Sequence, residues 1–137
     1  MQQRLMFTVP YLIPPTVNHI YQPTMYTGRD GFAHRGRKLS KEAEAYYAAV
    51  AIFAQGRTVV PTDERERKRA RYRVRFNVVY GRRQHGDIDN HSKAAIDGLV
   101  RAGVIDNDWK VIDFGGAPVR NERENPRTEY FIERLED

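Results

Sequence analysis

The chain has 137 residues and a net charge of +5, and its 40% hydrophobic, 30% charged composition suits one globular domain rather than a disordered chain. With no cysteine, disulfides and thiolate metal sites are excluded, so a metal must sit on oxygen or imidazole ligands, which favours hard cations such as magnesium. No apolar run approaches the roughly 20 residues that span a bilayer, and "MQQRLMFTVPYL" lacks the features of a signal peptide, so no membrane association and a cytoplasmic location are expected.

"RLMFTVPYL" reads as a first strand, closed by Pro10 and then by Pro14 and Pro15, because proline cannot donate to a ladder. After it "PPTVNHIYQPTMYTGRDGFAHRGRK" forms a loop of about 25 residues, long enough to suggest function. Its Tyr21, Tyr26, Phe32, Arg29, Arg35, Arg37 and Lys38 suit a flexible flap touching an anionic partner. Ser40 is placed to cap a helix over "KEAEAYYAAVAIFAQ", with Glu42 and Glu44 at the positive end of its dipole and Gly56 as the stop. "TVVPTDERERKRA" reads as a connector, and "YRVRFNVVY" as a half-buried strand that alternates Val74, Phe76, Val78 and Tyr80 with Arg73, Arg75 and Asn77. Asp89 or Asn90 then caps a second helix running to about Ala102, with Gly103 just past its end. "KVIDFGGAPVR" and "TEYFIERLE" read as closing strands. The expectation is one α+β domain over residues 1–137, a mixed sheet of about four strands covered by two helices in the order β-α-β-α-β-β.

Charge is concentrated in two places. Between Arg65 and Arg83 nine cations face the single acid Glu66, a local +8 that leaves −3 for the remainder. That stripe, with Arg69, Arg71, Arg73, Arg75, Arg82 and Arg83, is the footprint of a phosphate-backbone binder, and equally that of a solvated charged face. Immediately after it, "GDIDNHSKAAIDGL" gathers acids. If the segment is extended, Asp87 and Asp89 project to one side roughly 6 to 7 Å apart. They would then repel by roughly 2 to 3 kcal/mol at an effective dielectric near 20. A divalent cation offsets that repulsion, as do solvent and neighbouring arginines. On the helix Asn90, Lys93 and Asp97 share a face, so Lys93 can hold a phosphoryl oxygen or simply pair with Asp97. "GVIDNDWKVIDF" adds Asp106, Asp108 and Asp113 beside the only tryptophan. A calcium EF-hand is excluded because the sixth position from Asp87 is Ser92, not glycine. The histidines His19, His34, His85 and His91 are scattered and read as surface or capping residues.

"GDIDNHSKAAIDGLVRAGVIDNDWKV" resembles the central motif of RusA-type Holliday junction resolvases, small dimeric nucleases of bacteria and their phages, in register from Asp87 to about Asp113. "PPTVNHIY", with Asn18 and Tyr21, is similar to that family's proline-rich loop. The resemblance implies a homodimeric endonuclease, bacterial or phage-encoded, that cuts four-way DNA junctions by paired symmetric nicks in recombination and repair. It also implies Mg²⁺, with Mn²⁺ as a substitute, held by Asp87, Asp89 and Asp108, with Lys93 as the catalytic lysine. The family often carries two consecutive acids in the last turn. Here the first is Asn107, with Asp106 one residue earlier as a further metal ligand candidate. A helix of about 13 residues is roughly 20 Å long, whereas Gly103 to Asp108 reaches back only about 17 Å. Asp108 therefore either just reaches its own Asp87 or completes the site of a partner copy. Two other readings stay open: a DNA-binding module without catalysis, and a nuclease of other branched or flapped DNA.

Overall fold

The computed structural model describes residues 3–81, 87–120 and 125–136. In chain order they form β1 (Arg4–Pro10), β2 (Tyr21–Thr27), β3 (Ala33–Leu39), α1 (Lys41–Ala54), α2 (Glu64–Arg69), β4 (Arg71–Tyr80), α3 (Ser92–Arg101), β5 (Val111–Arg120) and β6 (Arg127–Leu135). Short 3-10 turns occupy Val17–His19, Ile88–His91 and Asp108–Lys110.

Period-two alternation marks β1, β4 and β6 of the main sheet, whose order is β1-β6-β4-β5. β6 runs antiparallel to both β1 and β4, and β5 runs parallel to β4. Leu5, Phe7 and Val9, Tyr72, Val74, Phe76 and Val78, and Tyr130 and Ile132 are buried on one face. α1 and α3 cover that face. They approach closely because position 98 has no side chain: a Cβ at Gly98 would lie 3.2 Å from Val50 Cγ2. A polar chain ties the layers together, with the Tyr46 and Tyr130 hydroxyls 2.6 Å apart and Tyr130 donating to the Ala95 carbonyl at 2.9 Å.

The α+β reading and the four-stranded mixed sheet under two helices match the sequence expectation. Two segments differ. The long loop is an antiparallel hairpin, β2 with β3, in register from Tyr21↔Leu39 to Thr27↔Ala33. Both of its faces are largely exposed, so no hydrophobic alternation marks it. Within its tip the Asp30 carboxylate accepts from Phe32 N at 3.0 Å and pairs with His34 Nε2 at 2.9 Å. The expected connector contains α2, which buries no residue and therefore has no apolar period. It forms on local terms: the Asp63 carboxylate caps Glu66 N at 3.0 Å, acids fill the first turn and Arg67, Lys68 and Arg69 the last.

Candidate active site

β4 ends at Tyr80, and the chain re-enters the described region at Asp87; Arg82, Arg83 and His85 lie outside the described residues. Asp87 is extended, with φ −81° and ψ 153°, and Ile88 starts a 3-10 turn that runs straight into α3. This corrects the extended Asp-Ile-Asp geometry, because Asp89 sits inside the turn. Both carboxylates still face solvent, since the residue between them is the one that points inward. Ile88 rests on the sheet where β5 carries Gly116: a Cβ there would lie 2.9 Å from Ile88 Cγ1 and 2.6 Å from the Phe76 ring.

The capping role expected of Asp89 or Asn90 is also corrected. α3 is entered through His91 with no side-chain cap, and Asp87, at the cap position of the 3-10 turn, makes no capping bond. Among the described residues neither Asp87 nor Asp89 has an ion pair or side-chain hydrogen bond. Exposed carboxylates without a protein partner are the kind of oxygen donor a hard cation takes. Tyr80, close enough to Asp87 to feel its charge, is buried, and among the described residues its hydroxyl has no hydrogen-bond partner. Burial, and then the charge of Asp87, push its phenol above the ordinary tyrosine range.

His91 is not a surface residue: it is 1% exposed. Its Nδ1 lies 2.6 Å from the Pro14 carbonyl oxygen, and its ring centre is 5.7 Å from that of Tyr80. It thus ties the proline loop to the turn that carries Asp87 and Asp89. The clue in the sequence was spacing, for Ile88, His91, Ala95 and Leu99 form one helical stripe. One turn into α3, Lys93 is exposed, and its Nζ lies 3.5 Å from Asp97 Oδ2. A cavity of about 540 Å³ opens beside the turn, between Thr16, Asn18, Glu42, Asn90 and His91.

Asp108 stands elsewhere in the chain. The parallel register sets Val111 opposite Tyr72, near the first residue of β4, whereas Asp87 follows its last. Ile88 lies over Gly116, five residues or about 17 Å of strand beyond Val111, and Asp108 precedes Val111 by a 3-10 turn. Among the described residues no three His, Asp or Glu side chains are grouped to hold a metal. Asp106 is committed to the fold: it accepts from Tyr72 Oη at 2.8 Å and from Lys110 Nζ at 2.7 Å. Burial pushes its carboxyl up, but the bonds from Lys110 and Tyr72 outweigh that and hold it below the ordinary carboxylate range. It is a counter-ion for the buried Lys110, not a free ligand.

The basic stripe is divided among several elements. Arg73 and Arg75 both turn onto Asp113, at 2.7 and 2.6 Å, on the sheet face away from the helices, and Arg73 also reaches Glu133 at 3.6 Å. The guanidinium of Arg71 lies 4.8 Å from the centre of the Trp109 ring. Arg69 closes α2.

The family model described as endodeoxyribonuclease RusA matches residues 21–133. No curated protein sequence matches the chain.

Proposed function

The chain belongs to the RusA endodeoxyribonuclease family, and from that premise we propose a magnesium-dependent nuclease that resolves four-way DNA junctions by paired nicks, with Asp87 and Asp89 as metal ligands. The observation that carries this reading is the pair of exposed carboxylates, unpartnered among the described residues, on a turn seated on Gly116 and tied down by His91. Two carboxylates suit Mg²⁺, which binds through one or two such groups and keeps several waters. When bound, the ion supplies an activated water and neutralises charge on the phosphate.

The protein's own part is positioning. The partly buried Ile88 and the buried His91 fix the turn, so that Asp87 and Asp89 need no rearrangement to meet a ligand. Lys93, one helical turn on, presents an ammonium to a phosphoryl oxygen, exchanging its exposed contact with Asp97 for the more highly charged group. The third carboxylate, Asp108, comes from a second copy in this reading, because the β4–β5 register holds it far from its own Asp87. The working unit is then a homodimer with two sites, which suits two symmetric cuts.

A synthetic four-way junction, incubated with the protein with and without Mg²⁺, tests the function. Metal-dependent paired nicks are expected. Tight binding without cleavage under Mg²⁺ or Mn²⁺ would leave only a DNA-binding module, and equal cutting of linear duplex would remove the junction preference. Asp89→Asn should abolish cutting yet retain binding, since it removes a negative charge near phosphate. Mixing Asp87→Asn chains with Asp108→Asn chains should restore one site per heterodimer, and inactive heterodimers would place Asp108 in the site of its own chain.

A further inference from the structure

The β2–β3 hairpin takes no part in the chemistry above, yet it is built as an arm. Both ends are anchored to α1: Ile20 is buried just before β2, and the Ser40 hydroxyl after β3 donates to the His19 carbonyl at 2.5 Å while accepting from Ala43 N at 3.0 Å. Between those anchors the two strands pack chiefly on each other. A free two-stranded ribbon is marginal in water, and this one is stiffened near its tip. His34 pairs with Asp30 at 2.9 Å and stacks on Tyr26 with ring centres 5.5 Å apart. Gly36 leaves room for that Tyr26 ring, which a Cβ would approach to 3.0 Å.

One face of the ribbon sets Tyr21 and Met25, 41% and 60% exposed, beside Arg35 and Arg37. At the tip Phe32 is 71% exposed. The hairpin and its tip carry Arg29, Arg35, Arg37 and Lys38 against the single acid Asp30, whose carboxylate is already taken up by its bond to His34 Nε2. Apolar rings interleaved with cations suit a strand whose bases are unpaired: rings stack on bases and cations follow phosphates. In paired duplex the base faces are already covered. The ribbon also leads to the acidic turn. A second cavity, of about 430 Å³, lies at its root between Asn18, Tyr21, Pro23 and Arg37, and Asn18 lines the cavity beside Asn90 as well.

We propose that the β2–β3 hairpin grips unpaired nucleotides at the branch point, Phe32 and Tyr21 stacking on bases while Arg35 and Arg37 hold phosphates, and delivers the strand past Asn18 to Asp87 and Asp89. This rests on the DNA-cutting reading above, but it is tested without cleavage. Binding to a (dT)₁₂ strand, to a four-way junction carrying 2-aminopurine at the crossover and to intact duplex is measured in Ca²⁺ for the full chain and for Phe32→Ala, Phe32→Tyr and Arg35→Ala/Arg37→Ala. Phe32→Ala should weaken strand and junction binding about tenfold, abolish the 2-aminopurine response and leave duplex binding unchanged; Phe32→Tyr should restore strand binding, junction binding and the 2-aminopurine response. The double arginine variant should reduce the log–log salt slope for (dT)₁₂ by about 1.4. Unchanged strand affinity and 2-aminopurine response in Phe32→Ala at an unchanged Tm would overturn the arm, as would an equal loss on duplex. A wild-type chain that shows these binding effects but never cuts in Mg²⁺ would overturn the nuclease reading alone.

Discussion

Replacing Gly116 by alanine reaches the candidate site without touching a carboxylate. The added Cβ would lie 2.6 Å from Phe76 Cζ and 2.9 Å from Ile88 Cγ1, closer than non-bonded carbons come. Phe76 is 1% exposed and stacked with Phe114 at 5.3 Å, so its ring has little room. Ile88 is only partly buried and gives way, lifting the turn that holds Asp87 and Asp89. Overpacking of this kind costs about 1 to 3 kcal/mol, which lowers the Tm of a domain this size by about 3 to 10 °C. The loss of junction cleavage should be larger than stability explains, on the order of 100-fold for a displacement near 1 Å, measured well below the Tm. Ile88→Ala in the same chain removes half of the clash, so the double variant should be less destabilised than the two single costs combined by at least about 0.5 kcal/mol. Urea unfolding of all four proteins gives that coupling. Additive costs, or Gly116→Ala cutting at the wild-type rate, would refute the idea that Ile88 seats the acidic turn on the sheet.

Three further outcomes follow from the interior and the helix ends. Tyr130→Phe removes the hydroxyl that bridges Tyr46 Oη and the Ala95 carbonyl, leaving the Tyr46 hydroxyl without this partner; the urea midpoint should fall by an amount equal to about 1 to 3 kcal/mol with the slope unchanged. Asp106 titrates below its unfolded value of about 3.9, so its ionised form stabilises the fold above that value and the contribution fades as pH falls through the folded one. Asp106→Asn should therefore be less stable than wild type at pH 7, with the gap narrowing toward pH 3 in urea melts; a constant gap would assign the loss to packing. Ser40→Ala deletes the α1 cap and the bond to His19 and should cost about 1 kcal/mol, read as a Tm shift.

Where one face of an element is buried, its period was legible in the residues. β1, β4 and β6 announced themselves by alternation, α1 by Ser40 and its acids, and α3 by Gly103, whose φ of 76° ends the helix. The hairpin and α2 were not legible because they bury almost nothing: one is held by pairing between its strands and the other by Asp63 and its charges. The motif Asp87-Ile88-Asp89 was readable as a chemical pattern, but its setting was not, since Gly116 and Pro14 lie far from it in the chain.

Local chemistry alone thus determined the candidate ligands, the lysine beside them, the α+β class and the basic run. Tertiary structure decided which of these groups are available. It paired Arg73 and Arg75 with Asp113, gave Asp106 to Lys110, buried His91 against Pro14, and left Asp87 and Asp89 without partners among the described residues. It also set Asp108 apart from them, because the parallel pairing of β5 with β4 is a long-range contact that places Val111 opposite Tyr72, near the start of β4.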